Sequence, residues 1–383
     1  MIYLDHAAAT PVSPKVKKAM EPYFSDDFFN PSAPYLPAKK VGQVYEEAKG
    51  KIAHIIGAKA PDIVITSGAT EATNLAFSCA KKKVLVLETE HKSVLETAKK
   101  YDYKLIKVDK TGLINLVDFQ KKLDSDVELV SVSLANNELG TIQPLAEIAE
   151  IIRKERQNRL KNGVKTPIYF HSDASQALNL IDINVARLGV DLLTFSAAKI
   201  YGPKGVGALY VSHGVRLEPI TLGGGQENGL RSGTENVPLV VGFAAAAEEA
   251  KEHVNGNRKK YEKLAQIFKE EIKDAAIEPI FLGNKKHSLA NFCPVCFPGI
   301  DAERLIYKLE DKEIYVSTGA ACAASKGEKS HVLKAIGLSN EEIEGSLRIS
   351  FGALNSEEDV KTAAKEIKTA IKEELNRIRG EDA

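Results

Sequence analysis

Between about residues 60 and 250 the chain alternates short β-branched runs with amphipathic helical stretches. That alternation restricts it to an α/β fold, a mostly parallel sheet covered by helices on both faces. The strand candidates are residues 63–65, 84–87, 105–108, 127–132, 167–170, 192–195 and 206–211, which makes a seven-stranded sheet. The last run follows a short turn and suits an antiparallel member. Beyond residue 250 the pattern changes. A charged helix over 258–275 leads to short strands at 289–297, 314–317 and 347–350, and a final helix covers 356–379. At 383 residues the chain is too long for one typical core. We expect a large domain over 12–254 and a smaller α+β domain built from 1–11 and 255–383.

Charge and composition exclude several function classes. Formal net charge is zero, so no global field favours nucleic acid or an anionic membrane. No apolar run is long enough to span a bilayer, and the N-terminus lacks a secretory pattern. Four cysteines in a chain this long do not make a disulfide framework, which points to a cytoplasmic protein.

The chemistry-bearing residues fall at strand ends. Lys199 follows the run Leu192-Leu193-Thr194-Phe195-Ser196, and Asp173 ends Ile168-Tyr169-Phe170-His171-Ser172-Asp173. An amine and a carboxylate so placed suit pyridoxal phosphate: the lysine can form a Schiff base, and the aspartate can keep the pyridine nitrogen protonated. Thr66-Ser67-Gly68-Ala69-Thr70-Glu71 follows a strand and opens a helix, either as a phosphate site with Thr70 as a donor or as a plain capped helix. His91 lies just past the strand at 84–87, where an imidazole can stack on a cofactor ring and shuttle protons, or simply begin a helix. Asn136 and Asn137 suit a planar polar ligand or a turn. Gln176 would face the ring hydroxyl, and Thr234, on a glycine-rich loop, would reach a phosphate in a neighbouring subunit. Cys322, among small residues, reads as an accessible thiol. Cys293-Pro294-Val295-Cys296 lacks a second ligand pair and reads as packing, as does Cys79. Lys81-Lys82-Lys83 reads as a solvated loop. Ser196-Ala197-Ala198-Lys199 matches S-x-x-K, but Lys110-Thr111-Gly112 precedes it, the wrong order for a penicillin-recognising enzyme.

From Tyr3-Leu4-Asp5-His6-Ala7-Ala8-Ala9-Thr10-Pro11 to Leu347-Arg348-Ile349-Ser350-Phe351-Gly352 the chain resembles a cysteine desulfurase of the class V aminotransferase group, fold-type-I pyridoxal phosphate enzymes. The resemblance implies a homodimer that converts L-cysteine to L-alanine and leaves a persulfide on Cys322. Sulfur then passes to an acceptor protein, such as an iron–sulfur scaffold or a tRNA-thiolation protein. It implies Lys199 as the Schiff-base lysine, Asp173 at the pyridine nitrogen and His91 stacked on the ring and moving protons. Gln176 and Asn137 lie near the ring hydroxyl. The Ala69 backbone, Thr70, Ser196 and Thr234 of the other subunit hold the phosphate, while Arg348, Asn30 and Asn137 hold the substrate. Two departures stand out. Ala198 occupies the place of a usual phosphate-contacting histidine, and Ala33-Pro34-Tyr35-Leu36-Pro37 lacks the usual histidine. The same fold also hosts selenocysteine lyases and aminotransferases, and a sulfur-relay subunit with reduced catalysis is a further alternative.

Overall fold

The computed structural model describes residues 1–319 and 329–380. Twelve strands are present among them. They are β1 (Ile2–Tyr3), β2 (Ile63–Thr66), β3 (Lys83–Leu87), β4 (Asp102–Ile106), β5 (Val127–Ser131), β6 (Tyr169–Asp173), β7 (Leu192–Ser196), β8 (Gly207–Val211), β9 (Ile280–Phe281), β10 (Val295–Cys296), β11 (Ile314–Tyr315) and β12 (Ser346–Leu347).

Seven of them form one sheet in the order β2-β8-β7-β6-β5-β3-β4. The pairs β4–β3, β3–β5, β5–β6 and β6–β7 are parallel, and β8 runs antiparallel to both neighbours. Successive residues of a strand point to opposite faces, so a doubly covered sheet needs apolar residues at every position. β3 shows this: Leu85 and Leu87 join the larger core, while Val84 and Val86 join the core on the other face. The third candidate, at 105–108, sits earlier, at Asp102–Ile106, and the fifth, at 167–170, extends to Asp173.

A separate apolar core gathers Leu4, Tyr261, Phe268, Val295, Phe351 and Ile367. Around it lie the antiparallel set β12-β10-β9 and the parallel pair β1–β11. The two cores share the Val237–Ile272 helix of 36 residues, about 54 Å long at 1.5 Å per residue. Its first half contributes Val240, Phe243 and Ala247 to the larger core, and its second half Tyr261, Leu264 and Phe268 to the smaller. The charged helix read from the sequence at 258–275 is therefore the second half of a longer element, and position 254 falls inside it. Asn255-Gly256-Asn257 does not break it: a central glycine costs only about 1 kcal/mol, while both flanking halves are packed.

Lys83 also differs from its sequence reading. It begins β3, is 8% exposed, and pairs with Asp124. Cys293 and Cys296 are buried, and burial pushes their thiols up to about 12 and about 11. Cys79 is likewise pushed up to about 12 by burial. These values leave all three as thiols at neutral pH, in keeping with packing.

Candidate active site

In an open sheet, ligands bind beyond the carboxyl ends of strands where the order reverses. Here β3 is followed outward by β4 and inward by β5, so the reversal lies between β3 and β5. The segments leaving these two strands supply His91, Ser133, Ala135 and Asn137 to a cavity of about 160 Å³. Asp173 and Gln176 enter it from the end of β6, and Lys199 from the turn after β7. Ala69 comes from the start of the Ala69–Phe77 helix and Arg348 from just beyond β12. Seven residues singled out from the sequence thus share one cavity: Ala69, His91, Asn137, Asp173, Gln176, Lys199 and Arg348.

Five of them are held by hydrogen bonds of their side chains. His91 caps the Lys92–Ala98 helix, its Nδ1 accepting from Ser93 N at 3.1 Å. A neutral imidazole with Nδ1 accepting carries its proton on Nε2. Burial lowers the pKa of His91, and the nearby Asp173 charge opposes that shift. Asp173 Oδ1 accepts from Ser175 N at 2.8 Å. Gln176 Nε2 donates to Ala7 O at 3.0 Å, and Lys199 Nζ donates to Ala7 O at 3.0 Å and to Ala8 O. Arg348 donates through Nη2 to Asp5 Oδ1 at 2.7 Å and through Nη1 to Asn137 O at 3.1 Å.

Two glycines lie at the start of the Ala69–Phe77 helix and beside it. A Cβ on Gly207 would lie 2.7 Å from the Gly68 backbone, so only glycine lets the helix start approach β8 this closely. Gly68 takes φ 153°, and no atom stands within 4 Å of where its Cβ would be. Thr70 is exposed on the first turn. Ser196, buried at the end of β7, accepts from Ala198 N at 3.4 Å.

Two of the expected residues stand apart. Asn30 and Thr234 are exposed and outside the cavity lining. Ser32 Oγ donates to Glu235 Oε1 at 3.4 Å, which ties their two segments together. Cys322 lies outside the described residues.

The cavity fits pyridoxal phosphate. Its lining offers an amine, Lys199, and a carboxylate, Asp173, together with the helix start at Ala69, which suits a phosphate. It also holds two buried polar atoms with no partner among the described residues, Ser175 Oγ and Arg348 Nε. Such atoms are costly unless a ligand satisfies them.

Sequence reasoning did not single out four groups that the fold brings here. Asp5 pairs with Arg348, and burial pushes its carboxyl up while the guanidinium pulls it back. Glu90 is fully buried beneath His91, and burial raises its carboxyl to about 8. Glu138 accepts from Ser330 Oγ at 2.5 Å, joining the Asn136–Gly140 turn to the segment at 329–330. His331 bonds Glu90 O through Nε2 at 2.9 Å. A carboxylate inside a motif of amides, as in Asn136-Asn137-Glu138, was the one local signal for any of them.

Residues 2–362 match the family model described as Aminotransferase class-V. A curated relative, Cysteine desulfurase IscS 1 of Archaeoglobus fulgidus, is 42% identical over 373 residues, covering 94% of each chain. A solved structure described as a NifS-like protein superimposes with a TM-score of 0.88 at 34% identity, covering 97% of this chain and 99% of its own. SspA in complex with cysteine superimposes with a TM-score of 0.79 at 32% identity, covering 92% and 99%.

Proposed function

The chain belongs to the class V aminotransferase family and, within it, to the cysteine desulfurases, and from that membership we propose how its own residues carry the reaction. It is a pyridoxal-phosphate-dependent enzyme that converts L-cysteine to L-alanine. When bound, the cofactor supplies an aldehyde that captures an amine and a ring that accepts an electron pair.

In our reading Lys199 would hold the cofactor, and its amine would take the proton from the substrate α-carbon. Its position supports this, because the carbonyls of Ala7 and Ala8 aim the ammonium into the cavity. Asp173 would keep the pyridine nitrogen protonated, and Gln176 and Asn137 would hold the ring hydroxyl. His91 stacks on the ring and moves a proton on the substrate thiol through Nε2. Ala69 N–H, Thr70, Ser196 and the Thr234 of a second copy hold the phosphate. Arg348 grips the substrate carboxylate with its planar donors, assisted by Asn30 and Asn137. Cys322 attacks the substrate sulfur as a thiolate. The C–S bond of cysteine breaks, the S–S bond of a persulfide forms on Cys322, and the β-carbon takes a proton and the α-carbon regains the one it lost, to give alanine.

A homodimer fits the exposed groups. Thr234 lies outside its own cavity lining, and exposed Phe24, Phe28, Tyr35, Leu36, Ile220 and Leu222 need a cover. We assign the second core to a small domain with residues 1–11. We place the enzyme in the cytoplasm, where it passes sulfur to an acceptor for iron–sulfur clusters or tRNA thiolation. No helix among the described residues is long and apolar enough to cross a membrane.

The convergence of seven residues from six segments on one cavity carries this reading. Purified protein given cysteine and a reductant is expected to yield alanine and sulfide in equal amounts. Cys322→Ala is expected to keep the cofactor's visible absorption and to form no persulfide. Wild-type turnover in that variant removes Cys322 from the mechanism, and amino transfer to a keto acid in place of sulfide supports an aminotransferase.

A further inference from the structure

Ala7 and Ala8 line the cavity, and Asp5, just before them in the chain, occupies the guanidinium assigned to the substrate carboxylate. The Asp5–Arg348 pair is nearly sealed, with side chains 15% and 4% exposed. Arginine carries five N–H groups. One goes to Asp5 and one to the Asn137 carbonyl. Arg348 Nε has no partner among the described residues, and the residue lines the cavity.

The approach of the two side chains is built into the backbone. Asp5 forms a bridge with Ser350, Ser350 N donates to Leu4 O at 2.8 Å, and Ala7 N donates to Ser350 Oγ at 2.9 Å. Arg348 N in turn donates to Ser317 O at 2.6 Å. These bonds hold residue 5 beside residue 348 whatever their side chains do. The pair is therefore not a chance meeting of two long surface groups.

A buried arginine without a counter-ion is costly and attracts any anion that fits. With Asp5 beside it the pair is neutral. An arriving carboxylate still finds free N–H groups but meets the charge of Asp5. A ligand that brings its own ammonium group suffers least from that repulsion.

We propose that Asp5 is a specificity-determining residue for the substrate: by pinning one arm of Arg348 and offsetting its charge, it favours the carboxylate of a zwitterionic amino acid over that of a simple anion. The proposal rests on the assignment of Arg348 to the substrate carboxylate.

The test is titration calorimetry on cofactor-loaded protein with three probes. These are 3-mercaptopropionate, which has a carboxylate and no amine; cysteamine, which has an amine and no carboxylate; and L-alanine, which has both. Asp5→Asn keeps an accepting oxygen and removes the charge. It is expected to tighten 3-mercaptopropionate about tenfold, L-alanine by less, and to leave cysteamine within about twofold. In an Arg348→Gln background the gain is expected to vanish, since the two residues act as a unit. Unchanged 3-mercaptopropionate binding, an equal change with cysteamine, or a gain that persists without Arg348 overturns the proposal. Arg348→Gln alone separates the two ideas. If it leaves 3-mercaptopropionate binding unchanged, the Arg348 assignment fails; if it weakens that binding while Asp5→Asn is silent, only the role of Asp5 fails. Asp5→Ser, with melting measured alongside, gives the same readout should the asparagine variant not fold, and the same direction is expected.

Discussion

The cavity has two walls of different construction. One is the carboxyl edge of the seven-stranded sheet, where Lys199, Asp173 and His91 sit within a few residues of β7, β6 and β3. The other joins the N-terminal segment to the strand end at Arg348, through contacts such as Asp5–Arg348 that span 343 positions. The first wall is fixed by a core buried on both faces. The second is fixed by the smaller core, through Leu4, Leu347 and Phe351, and by a handful of hydrogen bonds. We argue that the sheet wall holds the cofactor and the second wall selects the substrate, so the two can be broken separately.

The largest expected effect lies on the sheet wall. Lys199→Ala is expected to lower kcat by about 1,000-fold or more, because it removes both the covalent anchor and the base. Borohydride treatment followed by peptide mapping is expected to label position 199 in the parent protein and nothing in the variant. Labelling elsewhere in the parent moves the anchor off this wall.

Acid stability sharpens the contrast next. His171, inside β6, bonds Ser131 Oγ and Thr194 Oγ1 at 2.8 and 2.9 Å, and burial lowers its pKa to about 3. His6, on the N-terminal segment, is lowered by burial to about 4. An unfolded histidine takes a proton near pH 6.5, whereas these two resist it. The unfolded chain therefore binds more protons below that pH, and stability falls as pH drops from about 6.5 toward 4 and 3. The loss per residue is on the order of a few kcal/mol. Glu90 acts with the opposite sign. Its folded value of about 8 exceeds the unfolded one, so its contribution is lost as pH rises from about 4.5 to 8. Urea unfolding against pH is expected to show a flatter acid limb for His171→Asn and a flatter alkaline limb for Glu90→Gln. Parallel curves for parent and variants contradict this.

Arg348→Gln tests the other wall alone. Loss of a charge-assisted pair of hydrogen bonds, about 2 kcal/mol, is expected to raise KM for cysteine about 30-fold. The cofactor's visible spectrum is expected to stay unchanged. A bleached or shifted spectrum means that the two walls are not separable.

The same division explains what the sequence discloses. The seven strands are readable because a sheet buried on both faces demands apolar runs such as Val84-Leu85-Val86-Leu87. Lys199, Asp173 and His91 are readable because polar residues at the ends of such runs need a reason to be there. The Asp5–Arg348 pair is not readable from local pattern, since nothing near Asp5 announces a partner 343 positions away. Glu138 hides for a related reason. Its neighbours Asn136 and Asn137 account for the motif as a turn, and its partner Ser330 is 192 positions distant. The long Val237–Ile272 helix is obscured by Asn255-Gly256-Asn257, a turn-like triplet overruled by packing at both ends.

The smallest expected effect probes how complete the sheet wall is. Ala198 lies in the turn between Ser196 and Lys199, and its carbonyl accepts from Thr10 Oγ1 at 3.1 Å. That bond uses the backbone, so a side chain can be added without removing it. Ala198→His is expected to restore one hydrogen bond to the phosphate, about 1 kcal/mol, and to lower the cofactor dissociation constant about fivefold. Fluorescence titration of cofactor-free protein measures it. If affinity does not change, the helix start at Ala69 and Thr70 together with Ser196 already saturates the phosphate. The sheet wall then needs no imidazole at that position.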